Sequence, residues 1–71
     1  MGPTSTIRTA VSDHRRTLAL TQEELANRVG VTRQTIISIE KGNYVPSVLL
    51  ALKLARVFSR PVEEVFWYED R

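Results

Sequence analysis

From Ala10 onward the apolar residues recur at spacings of three and four, the period of helices packed on one side. A first helix from Thr9 or Ala10 to Thr17 would set Val11, His14 and Leu18 on one face. Thr21-Gln22-Glu23-Glu24 has the form of a capping box, in which the threonine hydroxyl takes the amide three residues on and the glutamate reaches back. A second helix therefore starts at Gln22, turns Leu25, Ala26 and Val29 inward, and stops at Gly30, which accepts the left-handed conformation that ends helices. Only Val31 and Thr32 remain as connection before a third helix, capped by Thr32, that runs to about Lys41 and stops at Gly42-Asn43. After the loop Tyr44-Val45-Pro46, Ser47 caps a fourth helix to about Phe58, and Pro61 opens a short fifth one to about Phe66. The expected class is all-α, a compact five-helix domain. Phe66-Trp67-Tyr68 and the segment around Ile7 are β-prone, so a short two-stranded ribbon pairing the N- and C-terminal segments is the one addition the pattern suggests.

Helices joined by so short a link cross steeply, and small residues are needed where their backbones approach. Ala26 and Gly30 stand there, with Leu25, Val29, Ile36 and Ile39 available as the apolar wedge. At 100° per residue the other side of the third helix gathers Arg33, Gln34, Ile37 and Ser38 within an arc of roughly 140°. Arginine can pair with guanine O6 and N7, glutamine with adenine N6 and N7, and serine with either kind of edge, while Ile37 can meet a thymine methyl. Taken alone, this spacing also suits an ordinary solvated face.

Charge sharpens the picture. Residues 1–62 carry nine arginines and lysines against four acids, a net +5, whereas residues 63–71 are net −3 through Glu63, Glu64, Glu69 and Asp70 against Arg71. A polyanion should meet the first part and not the second. A chain of 71 residues supports one core. The expected division is a head at 1–8 that is a tail or a short strand, a domain at 9–66 with its helix-turn-helix at 21–41, and a tail at 67–71. Cysteine is absent, no stretch approaches a membrane span, and the first eight residues lack an apolar leader, which together suggest a cytoplasmic protein associated with the nucleoid. No metal or cofactor motif is present, and a single histidine with no nucleophile or phosphate-binding motif leaves no constellation for catalysis, so no enzyme is expected.

The run TQEELANRVGVTRQTIISIEKGNYVPS at 21–47 resembles the Cro and phage-repressor helix-turn-helix regulators, also called the xenobiotic-response-element family. The likeness covers roughly residues 9–66, and it is closest to the short, single-domain dimeric members. It implies a lambda-repressor-like fold and a sequence-specific regulator of transcription, a repressor on double-stranded DNA. It implies that Arg33, Gln34 and Ser38 face bases and that Gln22 contacts phosphate while bracing the third helix. Thr32, Thr35, Lys41, Asn43 and Tyr44 match positions at or beside the sugar-phosphate backbone, where contacts position the protein without carrying sequence information. The resemblance further pairs Arg15 with Glu40 as an architectural ion pair. At His14 the family usually has leucine or isoleucine, and the histidine is expected to be a partly buried, hydrogen-bonded core residue.

The fourth helix, VLLALKLARVF, has only Lys53 and Arg56 as polar members. Its surplus apolar surface assigns Leu49 and Leu52, with Trp67 and Tyr68, to a homodimer interface. A two-fold dimer would place its reading helices about 34 Å apart, on the half-sites of a palindromic operator. The rival function is a protein-interaction module of the same fold, an antitoxin or anti-repressor that holds another protein through that apolar helix. Small-molecule substrates and membranes are not expected as partners.

Overall fold

The computed structural model of the chain describes residues 5–70; residues 1–4 and Arg71, assigned above to the ends of the head and the tail, lie outside it. Strand β1 (Ser5–Thr9) leads into helices α1 (Val11–Thr17), α2 (Gln22–Val29), α3 (Arg33–Glu40) and α4 (Val48–Phe58). One 3-10 turn (Val62–Glu64) follows, and then strand β2 (Phe66–Asp70). The strands pair antiparallel with Ser5 opposite Asp70, Ile7 opposite Tyr68 and Thr9 opposite Phe66. The expected ribbon is thus present, and the fold is mostly helical with a two-stranded sheet instead of wholly helical.

The local signals act as the sequence suggests. Thr21 Oγ1 accepts from the Glu24 amide at 3.0 Å, while Glu24 Oε1 accepts from the Thr21 amide at 2.8 Å. Thr32 and Ser47 cap α3 and α4 by accepting from the amides of Thr35 and Leu50. Gly30 ends α2 at φ +75°.

Two expectations need correction. The fifth helix is only a 3-10 turn, so the described residues form four α-helices. Pro61 sits outside the turn in extended backbone. Val65 is wholly buried, and from Phe66 the aromatic residues take β1 as their partner, so the strand pairing claims the chain before a second helical turn can form. Leu18 does not continue the buried face of α1. It lies beyond the helix end and is 45% exposed, because Ala19 turns the chain at φ +56°. Leu20 instead packs against the core.

That core joins Val11 of α1, Leu25, Ala26 and Val29 of α2, Ile36 and Ile39 of α3, Leu50, Leu54, Ala55 and Phe58 of α4, and Val65. The apolar faces of all four helices meet there, so each helix is fixed by its neighbours. Helices as short as these are marginal in isolation and depend on such packing. The Ala10 amide donates to the Val65 carbonyl at 2.9 Å and ties the ribbon to the start of α1.

Candidate nucleic-acid interface

Between α2 and α3 the chain turns through Gly30, Val31 and Thr32, with the Val31 amide donating to the Ala26 carbonyl at 3.0 Å. Ala26 is 2% exposed, and its methyl leaves room for the close crossing that the short link imposes. Ile36 and Ile39 are buried on the inner side of α3, Arg33 and Gln34 project from the outer side, and Ile37 and Ser38 are half-buried along its edge. At 100° per residue Lys41 falls in the middle of the outer arc, between Ile37 and Gln34. The helix therefore presents a guanidinium, a carboxamide, a hydroxyl and a methyl-bearing side chain on one stripe, with an ammonium at its C-terminal end.

The backbone-facing candidates frame that stripe. Thr32 and Thr35 bring their hydroxyls to 3.2 Å of each other at the N-terminal end of α3. At the other end Gly42 takes φ +78°, and the Asn43 amide donates to the Ser38 carbonyl at 2.9 Å, which holds Lys41, Asn43 and Tyr44 in one exposed turn.

An ionic network sets the angle of α3. Arg15 Nε donates to Glu40 Oε2 at 2.7 Å and its Nη2 to Oε1 at 3.2 Å, a two-pronged pair with side chains only 13% and 9% exposed. The hydrogen bonds to Glu40 raise the Arg15 guanidinium above its already high ordinary value. Arg15 Nη1 also donates to the Leu20 carbonyl at 2.9 Å, and Gln22 Nε2 donates to Glu40 Oε1 at 3.1 Å. One carboxylate at the end of α3 thus holds α1 and the first residue of α2, and Arg15 in turn holds the α1–α2 loop. The Leu20 carbonyl was not legible beforehand, since nothing marks one loop carbonyl among several as an arginine's partner. His14 is half-buried, with Nε2 3.0 Å from the Glu64 carbonyl, which requires Nε2 to carry the proton, and with its ring 5.3 Å from that of Phe58.

The four residues assigned to a dimer interface fall into two groups. Leu49 and Leu52 are more than half exposed on α4, beside the still more exposed Val45 and Val48, which the sequence reading had not singled out. Tyr68 shares a ribbon face with Ile7 and Phe66 by strand alternation. Ile7 and Phe66 border Tyr44 and Val45, and Tyr44 in turn borders Leu49, so these side chains make one apolar surface. Trp67 lies on the opposite ribbon face, across from Arg8, where it lines an open groove of about 430 Å³ together with Arg8, Glu69, Glu40 and Lys41. Among the described residues no helix is long and apolar enough to cross a membrane, and no cluster of histidine, cysteine and acids could hold a metal ion.

Comparison with known proteins bears on this geometry. Residues 13–65 match the helix-turn-helix family model. An HTH-type transcriptional regulator of Methanothermobacter thermautotrophicus is 57% identical over 65 residues, which is 90% of this chain and 94% of that one. The regulator YgzD of Bacillus subtilis is 53% identical over 84% of this chain and 91% of its own. The CTXphi transcriptional repressor RstR of Vibrio cholerae is 39% identical over 65% of this chain and 41% of its own. Among solved structures the restriction-modification controller protein C.AhdI of Aeromonas hydrophila superposes with a TM-score of 0.70 at 30% identity, covering 76% of this chain and 82% of that one.

Proposed function

Because the chain belongs to the Cro/C1-type helix-turn-helix family of DNA-binding transcriptional regulators, we propose that it is a repressor that reads a palindromic operator as a homodimer. The observation that carries this reading is the split of α3. Ile36 and Ile39 anchor one side in the core, while Arg33 and Gln34 project from the other, with Ile37 and Ser38 half-buried along its edge, a stripe turned toward a major groove in this reading. In that groove Arg33 takes guanine O6 and N7, Gln34 takes an adenine edge, Ser38 bonds a neighbouring base, and Ile37 covers a thymine methyl.

Gln22, Thr32, Thr35, Lys41, Asn43 and Tyr44 surround this stripe and hold the flanking phosphates, which fix the depth and register of α3. Gln22 can do so because Glu40 orients its carboxamide. The dimer forms through the apolar surface of Leu49, Leu52 and Tyr68, extended by Val45 and Val48. Such a surface is self-complementary under a two-fold axis, and the axis gives the operator its inverted repeat. Trp67, on the other ribbon face, takes no part in it. The protein works in the cytoplasm, where a bacterial or archaeal chromosome is found. It carries out no catalysis of its own.

Selection of bound sequences from a random duplex pool tests the reading, and the expected product is an inverted repeat. Affinity for it should fall with salt at a slope of about −0.9 per phosphate neutralised. Arg33→Ala should lose about 1–3 kcal/mol at one base pair of each half-site and accept other bases there. A pool that yields no preferred duplex, together with salt-insensitive capture of another protein through α4, would instead identify an antitoxin-like interaction module.

A further inference from the structure

Resting on the proposed DNA reading, we propose that the groove between the ribbon and the C-terminal end of α3 is an additional phosphate site, in which Arg8 joins Lys41 to hold one phosphodiester of the bound duplex. The groove is lined by Arg8, Thr9, Glu40, Lys41, Gly42 and Trp67 among others. Its position carries the proposal. Lys41 both closes the outer stripe of α3 and lines this groove, so the groove adjoins the end of the surface that carries Arg33 and Gln34.

The charges at the groove favour an anion. Glu40 is consumed by Arg15 and Gln22 and is nearly buried, so its negative charge is already answered inside the protein. The remaining acid is Glu69, which accepts from Arg8 Nε at 2.9 Å. Both side chains of that pair are 49% exposed, and exposed pairs contribute little in water. A guanidinium has five N–H donors, so its terminal nitrogens can take a phosphate while Nε keeps its place. The pair thus leaves the terminal nitrogens of Arg8 open at the groove, and the charge of Glu69 is the one that competes with an incoming phosphate. Trp67, directly opposite Arg8 in the strand register, lines the same groove.

Fluorescence anisotropy on the selected operator duplex, repeated over a salt series, tests the assignment. Arg8→Gln should flatten the salt slope by about 0.9 and weaken binding about fivefold at 0.15 M salt, the contribution of one phosphate. Arg8→Lys should keep the slope, and Glu69→Gln should tighten binding, since it removes the competing acid and leaves the ribbon backbone intact. Ethylation interference should show one phosphate per half-site whose modification hinders the wild type and not Arg8→Gln. Wild-type slope and affinity in Arg8→Gln would overturn the proposal, as would weaker binding in Glu69→Gln, which would mean that the ion pair merely holds the ribbon. If inorganic phosphate at constant ionic strength weakens the wild type but not Arg8→Gln, and ethylation patterns are the same for both, the groove serves a soluble anion and the proposal fails. A wild type with no preferred duplex would refute the function reading itself, a separate result from a wild type that selects an operator with no help from Arg8.

Discussion

Replacing Glu40 with alanine strands Arg15. In the native chain the guanidinium makes two bonds to the carboxylate and one to the Leu20 carbonyl, in a place where only 13% of its surface meets solvent. Glu40→Ala leaves it the Leu20 carbonyl alone, and removing one partner of a buried pair costs about 3–5 kcal/mol. A chain of 71 residues has a total stability of about 4–10 kcal/mol, so a loss of that size removes from a third to all of it. The double variant Arg15→Met, Glu40→Leu separates structure from function. Exchange of both charges for apolar residues of similar bulk is often neutral or stabilising, so folding should return to about the native level. Gln22, however, has lost the acceptor that orients it, and operator affinity should stay below that of the native protein by a factor of about 2–10, one hydrogen bond's worth. Urea unfolding followed by the fluorescence of Trp67, at fixed protein concentration, gives the stabilities, and anisotropy on the operator gives the affinities. A loss of under 1 kcal/mol in Glu40→Ala would refute the account of the network, and full affinity in the double variant would refute the positioning of Gln22.

Leu52→Asp should dissociate the dimer at micromolar concentration while leaving the helical circular dichroism signal in place, because Leu52 is 52% exposed and outside the core; a sedimentation profile unchanged from the native one contradicts the interface. Gly30→Ala should cost about 1 kcal/mol through backbone strain alone, since φ is +75° and nothing lies within 4 Å of an added methyl. Ala19→Gly should gain a similar amount, about 1 kcal/mol, by relieving φ +56°, and thermal melts decide both. Bonds from the Thr21 amide and hydroxyl hold the Glu24 carboxyl below the ordinary value of 4.5. Its contribution to stability is therefore present above that value and lost as pH falls through the lower folded one. Carbon-detected NMR titration of the Glu24 carboxyl should give a midpoint under 4.5, and a midpoint above it would remove the capping box in solution.

How far the residues foretold the structure depends on the reach of each signal. The capping box, the Thr32 and Ser47 caps and the glycine stops act within about four residues, so their partners are close in the chain and α2, α3 and α4 appear where expected. Leu18 shows the limit of periodicity. It continued the spacing of α1, yet Ala19 takes a left-handed turn and sends Leu20 inward in its place. The stretch after Pro61 shows another limit, because helical and extended states were close in energy locally and pairing with β1 decided between them. Arg15 and Glu40 could be named only through resemblance, for no rule of spacing joins residues 25 apart.

By itself the sequence determined the first four helical segments, though not that a fifth would fail to form, together with the tight turn between the second and third, the split of α3 into an apolar and a polar side, and the segregation of positive from negative charge. Each follows from hydrogen bonds and side-chain spacing inside a turn or two of backbone. Only the tertiary structure decided that the two ends of the chain pair in a register with Ile7 opposite Tyr68, that Tyr68 joins the apolar surface while Trp67 faces a groove, and that Arg8 stands beside Lys41. Those outcomes depend on contacts between residues some thirty to sixty positions apart, and such contacts form only once a shared core has brought the segments together.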